Sequence, residues 1–212
     1  MLNSYRTIKE NGIHEIVIRK SRFICHLQRT ESEEDALAFI ESVKKEHWKA
    51  THNCSAYLIG ERDEIQRAHD DGEPSGTAGV PMLEVLKKNE LKDVTAVVTR
   101  YFGGIKLGAG GLIRAYSGSV SEALKEIGIV ERRLQQEIRL TVAYPLSGKL
   151  ENSLRESEYT LKDTEYTDKV TFVCLVDEED INRFKDETTD WLSAQGEYAL
   201  GEKRYTEYPL PS

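Results

Sequence analysis

Ile16 and Ile18 alternate with polar neighbours over residues 13–20, and a similar run over 4–9 precedes them across Asn11-Gly12, so the pattern predicts a two-stranded hairpin. Residues 23–27 continue the sheet. Thr30 or Ser32 then caps a helix whose apolar positions Ala36, Ile40 and Val43 recur at helical spacing. Residues 52–59 and 64–69 read as a strand pair around 60–63. A helix over about 78–89 follows, with Val80, Leu83 and Leu86 or Val85 inward and Pro81 tolerated only in its first turn. Residues 94–101 are mostly apolar and β-branched, as a central strand requires. A glycine cluster comes next, and then a long helix with Leu112, Tyr116, Val120 and Ile127 along one stripe.

Beyond residue 133 the period changes again. Ile138, Leu140 and Val142 alternate as a strand, and Leu146, Leu150 and Leu154 mark a helix at i, i+4, i+8. Strands over 159–166 and 169–176, a helix with Ile181, Phe184, Thr188 and Trp191, and a strand over 199–205 complete a β-α-β-β-α-β order. That order is a ferredoxin-like one, and the terminal YPLPS reads as a flexible tail. The expected organisation is two domains, 1–133 and 134–212, in an α+β chain.

The charge is divided in the same place. Residues 1–133 carry 20 Lys plus Arg and 20 Asp plus Glu, net 0, whereas residues 134–212 carry 9 and 17, net −8. Any anion binding is therefore local to the first part, and an acidic second part repels polyanions. With 39% apolar and 31% charged residues the chain is too apolar for disorder, and no run approaches the roughly 20 apolar residues of a membrane span. A cytoplasmic placement is expected, without a membrane partner. Cys25, Cys54 and Cys174 have no zinc-type spacing and read as buried thiols, with His52 two residues from Cys54 the one reservation.

Two stretches carry candidate chemistry. In the first, Arg100 to Arg114, a buried strand meets a helix N-terminus through Gly103, Gly104, Gly108, Gly110 and Gly111. Glycines let backbone N–H groups approach an oxyanion, and Arg100, Lys106 and Arg114 complete the charge. It is not a Walker loop, because Ala109-Gly110 stands where Lys-Ser/Thr is needed. The second stretch gathers Asp70, Asp71 and Glu73 beside Ser75 and Thr77. Three carboxylates suit Mg²⁺ or proton transfer, while Asp-Gly turns, Pro74 and a Ser75 or Thr77 cap account for the same residues structurally. His52, Asn53, Tyr57 and Tyr101 are further cleft candidates. Both stretches follow strands and open helices, so they are expected to meet at one edge of the sheet.

The segments His69–Gly79, Val98–Gly108 and Gly110–Tyr116, with Lys20–Ile24 and Ala50–Tyr57, resemble the signature of the IMPACT family in its bacterial branch. The resemblance implies a left-handed βαβ fold of the ribosomal-protein and elongation-factor G type for the first domain, and a ferredoxin-like second domain. It also implies that eukaryotic relatives regulate translation by competing for the activator of a kinase that acts on an initiation factor; they carry an extra N-terminal domain, so that mechanism is not expected to transfer here, and nucleic-acid or ribosome association is expected for the bacterial branch. Two functions stand open. One is RNA or ribosome binding through the basic glycine loop; the other is an enzyme on a small phosphorylated or carboxylated substrate, metal-assisted at Asp70, Asp71 and Glu73. A protein partner docking through the second domain is a third, weaker reading.

Overall fold

The computed structural model describes residues 1–211, and the chain falls into two units, one built on Tyr5–Glu131 and one on Arg132–Glu207. The first holds β1 (Ser4–Ile8), β2 (Gly12–Ile18), β3 (Ser21–Arg29), α1 (Glu33–Glu46), β4 (His52–Ile59), β5 (Ile65–His69), α2 (Gly79–Lys88), β6 (Val94–Tyr101) and α3 (Gly108–Ile127). Its sheet runs β2-β3-β6-β4-β5, with every neighbouring pair antiparallel. The apolar 94–101 segment is indeed the central strand.

Alternation along the strands sorts side chains to two faces. Phe23, Cys25, Cys54, Ala56, Leu58, Ala96 and Val98 pack under α2 and α3 with Met82, Leu86, Tyr116 and Val120, whereas Tyr57, Ile59 and Val97 pack under α1 with Ala36, Ile40 and Val43. Ser32 caps α1 by accepting from the Asp35 N–H at 3.1 Å. Strands β3 and β4 both run antiparallel to β6, hence parallel to each other, and α1 joins them over one face. Strands β5 and β6 both flank β4 antiparallel, and α2 joins them over the other face. The hand of a crossover is set by strand direction, direction of step and face; the two crossovers differ in all three, so their hands are opposite. The sheet therefore contains one left-handed βαβ unit, a rare connection.

The expected hairpin across Asn11-Gly12 does not form. β2 pairs with β3, from Gly12 with Leu27 to Ile18 with Ser21, and β1 pairs with β7 (Ile129–Val142). The tight turn lies at Arg19 and Lys20, with φ of 46° and 65°, the paired left-handed conformation that suits a two-residue turn. Asn11 serves another purpose, its Oδ1 accepting from the Arg29 N–H at 2.9 Å. In α2, Leu86 is buried and Leu83 and Val85 pack against the core as expected, but Val80 is 49% exposed and the fully buried Met82 takes its place.

The second unit adds α4 (Tyr144–Glu156), β8 (Thr160–Tyr166), β9 (Val170–Asp177), α5 (Ile181–Trp191) and β10 (Glu197–Pro209). Its strand order, β10-β7-β9-β8, is that of a ferredoxin-like sheet, closed on a core of Ile138, Leu140, Phe172, Cys174 and Phe184. The tail expected to be flexible is ordered as far as Leu210, whose N–H donates to Ile129 O at 3.2 Å; Ser212 lies outside the described residues. Among the described residues no helix is long and apolar enough to cross a membrane.

Two glycines separate close backbone approach from mere helix entropy. A Cβ on Gly79 would stand 2.5 Å from the His69 nitrogen, whereas one on Gly118 in α3 meets nothing within 4 Å. Gly79→Ala is expected to cost about 1–3 kcal/mol by overpacking and Gly118→Ala to add about 0.5–1 kcal/mol, both read from urea unfolding.

Candidate functional site

The glycine segment is fixed to its surroundings before the helix begins. After β6, the Phe102 N–H donates to Thr51 Oγ1 and the Gly103 N–H to Ser21 Oγ, each at 3.1 Å. Gly103 has no room for a side chain, since a Cβ there would overlap the carbonyl of Lys20. This brings the loop against the β2–β3 turn, where Arg19 Nη1 donates to Lys106 O at 3.3 Å. Gly104 and Gly108 take φ of 87° and 73° and turn the chain into α3, with open space around both. Among the described residues no side chain caps α3, and its first turn holds no acid. Its leading N–H groups are thus free of internal anionic partners, and the Arg114 guanidinium lies beside Gly110. Lys106, Arg114, Arg19 and Lys20 are all exposed.

The acidic stretch is internally committed. Asp70 accepts from the N–H groups of Gly76, Ala78 and Gly79 at 2.9, 3.2 and 2.9 Å, so Asp70 performs the capping role expected of Ser75 or Thr77. Thr77 instead closes a turn onto Pro74 O, and Ser75 is exposed. Asp71 accepts from the Asn53 N–H at 2.7 Å and pairs with Lys44 at 3.3 Å. Glu73, buried, accepts from Arg100 Nη1 and from the Tyr116 hydroxyl, both at 2.7 Å on Oε1. His52 donates Nδ1–H to Asp71 O at 2.8 Å and sets Nε2 3.7 Å from Glu73 Oε2. The three carboxylates face separate partners, and among the described residues no group of three His, Cys, Asp or Glu side chains is placed to hold a metal ion.

The two stretches do meet, through the Arg100–Glu73 pair, but inside the protein. Arg100 was expected to face an anion; it is only 6% exposed and lies against the rings of Phe23 and Phe102 at 5.6 and 5.4 Å. Its place on the α2/α3 face of β6 draws it into the core beside a carboxylate. Strand alternation removes two further cleft candidates: Tyr57 donates to Glu33 and the Tyr101 hydroxyl bonds His47, both on the α1 face. Asn53 reaches the cleft through its backbone only, its side chain accepting from Thr99 at 2.7 Å. Arg19 and Lys20, which the fold brings against the glycine loop, are not among the sequence-derived candidates. The signal was available in the Lys20–Ile24 segment, which resembles the family yet contributes nothing if read only as strand.

Titration behaviour follows from these contacts. Burial would raise the Asp70 carboxyl, yet three backbone N–H donors and nearby His69 outweigh it and hold the group below its ordinary value. Burial pushes the Cys54 thiol up to about 12 and the Tyr116 hydroxyl far above its usual range, so both stay protonated at neutral pH. Neither supplies a nucleophile or base.

Fold and site together define a class: a two-domain α+β protein whose first domain carries a left-handed crossover and an uncapped, glycine-rich helix end with exposed cations in and beside its loop. The Impact N-terminal domain model matches residues 19–124, and a domain of unknown function, DUF1949, matches residues 140–195. IMPACT family member YvyE of Bacillus subtilis is 59% identical over 98% of this chain and 95% of its own length, and IMPACT family member YigZ of Escherichia coli is 44% identical over 67% and 74%. A crystal structure described as a hypothetical protein superposes with a TM-score of 0.60 at 32% identity, covering 95% of this chain and 99% of that one. The chain belongs to the IMPACT family.

Two measurements check this account of the acidic stretch. Removing one partner of a buried pair strands the other charge, so Glu73→Ala is expected to cost about 3–5 kcal/mol in urea unfolding, and Glu73→Ala with Arg100→Met to recover part of it. For Asp70, a depressed folded pKa means stability that is complete above the unfolded value near 3.9 and lost as pH falls through the folded one. Asp70→Asn is therefore expected to lower Tm at pH 7, with the gap from wild type narrowing below about pH 4.

Proposed function

We propose that this protein binds RNA through phosphate contacts at the N-terminal end of α3, in a translation-associated role on or near the ribosome. The observation that supports the reading best is the α3 terminus itself. It opens a 20-residue helix, among the described residues no side chain caps it, and no acid stands in its first turn; exposed Arg114 lies beside Gly110, exposed Lys106 is in the loop before it, and the adjacent β2–β3 turn carries exposed Arg19 and Lys20. Free N–H groups and partial positive charge at such an end receive phosphate oxygens, and Lys106, Arg114, Arg19 and Lys20 extend the contact beyond one phosphate. Two of these cations come from the β2–β3 turn, which widens the basic footprint past the glycine loop. An extended patch favours a polyanion over a single small anion. The same geometry weighs against a metal-assisted enzyme at the acidic stretch, whose carboxylates are bonded to protein donors.

Phosphate contacts predict salt dependence. For wild type, affinity for a single-stranded oligoribonucleotide is expected to fall steadily from about 50 to 200 mM salt. Lys106→Ala with Arg114→Ala is expected to lower the slope by about 1.4, at roughly 0.7 per lost contact. Lys20→Asn is expected to lower it by about 0.7, Asn being chosen because it tolerates the left-handed backbone there. No binding by wild type at 50 mM, or identical slopes for all three proteins, rejects RNA in favour of a small phosphorylated ligand.

A further inference from the structure

Phe102 opens the loop that carries Lys106 and is the least covered aromatic ring of the glycine segment, 47% exposed. A lone exposed apolar side chain is ordinary and carries no message. This one is held in place. The Arg100 guanidinium lies over its ring at 5.4 Å and against Phe23 at 5.6 Å, so Phe23, Arg100 and Phe102 form a stack that begins in the core and ends at the surface. Glu73 fixes the guanidinium from the side at 2.7 Å, and Arg100 Nε has no hydrogen-bond partner among the described residues, its buried N–H lying against aromatic surface instead. The backbone is equally fixed, because Thr51 and Ser21 take the N–H groups of Phe102 and Gly103. The conformational entropy of presenting this ring is already lost on folding.

Resting on the RNA reading above, we infer that Phe102 is a stacking platform for an unpaired base, so this surface selects single-stranded or looped RNA over duplex. A base stacked on the ring sits beside the loop that carries Lys106 and leads to the free N–H groups of α3, so the phosphates on either side of it reach the cations. Exposed Ile105, 40% accessible on the same loop, adds apolar surface for a base or ribose. An A-form duplex keeps its bases stacked on one another and offers no face to the ring, whereas single strands give up little to stack on an aromatic side chain.

The test is competition between a single-stranded oligoribonucleotide and its duplex, for wild type, Phe102→Ala, Phe102→Leu and Phe102→Trp, each first shown to melt like wild type. Wild type is expected to prefer the single strand. Phe102→Ala and Phe102→Leu are expected to weaken single-strand binding about 5- to 100-fold with the salt slope unchanged, since no charge is removed, and Phe102→Trp to retain it. Leu separates stacking from simple apolar contact: full affinity in Phe102→Leu overturns the inference. Equal affinity for duplex and single strand overturns it too, as does full affinity in Phe102→Ala. In those cases the slope changes at Lys106, Arg114 and Lys20 still decide the RNA reading separately. Absence of any RNA binding by wild type overturns both.

Discussion

One carboxylate holds the first domain's two glycine-rich stretches in place. Glu73 lies in the loop between β5 and α2, Arg100 near the end of the central strand and Tyr116 in the third turn of α3, and all three meet at Glu73 Oε1. The side chains of the ion pair are 3% and 7% exposed, so removing both charges from water costs several kcal/mol. That cost is met locally by a second donor in Tyr116, by His52 near the other oxygen and by the aromatic faces flanking the guanidinium. What the pair supplies is register: the loop, the strand and the helix are tied at one point, and a shift of any of them leaves a buried charge uncompensated.

This arrangement explains how three carboxylates can lie so near the cations proposed to contact phosphate. Exposed acids there would repel phosphate. Asp70 is spent on the start of α2, Asp71 on the β4 backbone and Lys44, and Glu73 on Arg100 and Tyr116, so each negative charge is directed inward or paired. The cations are treated oppositely. Arg19, Lys20, Lys106 and Arg114 remain at the surface, the first two on a strained turn whose left-handed φ values are stabilised by the Arg19–Lys106 bond and the close Gly103 contact.

Much of this was legible from residue pattern. Helical spacing gave the inward residues of α1 and α3, the β-branched run gave the central strand, and the βαββαβ order of the second domain followed from alternation. The errors share one physical origin, namely that local signals do not state which partner a segment will have. Asn11-Gly12 is a good turn dipeptide, yet Ile16 and Ile18 bury more against Phe23 and Cys25, so the hairpin closes at Arg19-Lys20 instead. Arg100 and Lys106 look alike as cations near glycines. One belongs to a strand face under two helices and the other to a loop, and only the sheet register separates them. Val80 looks like a core residue by type, yet Met82, two positions on, fills the core beside Leu86 and leaves Val80 on the outer side.

Size limits what such a surface can do alone. Four cations contacting single-stranded phosphates give a salt slope of about 2.8, so affinity falls about 50-fold between 50 and 200 mM salt. The remaining 79 residues of the chain, 134–212, add a net −8 and no compensating attraction. On the proposed RNA reading, contacts of this kind would steer RNA to the surface and weaken steeply as salt rises. A contribution that salt does not screen would add to them, and stacking on the exposed Phe102 ring is the one inferred above. If the proposed RNA reading holds, a short footprint of this kind would suit RNA already held by a larger assembly, where local concentration replaces intrinsic affinity.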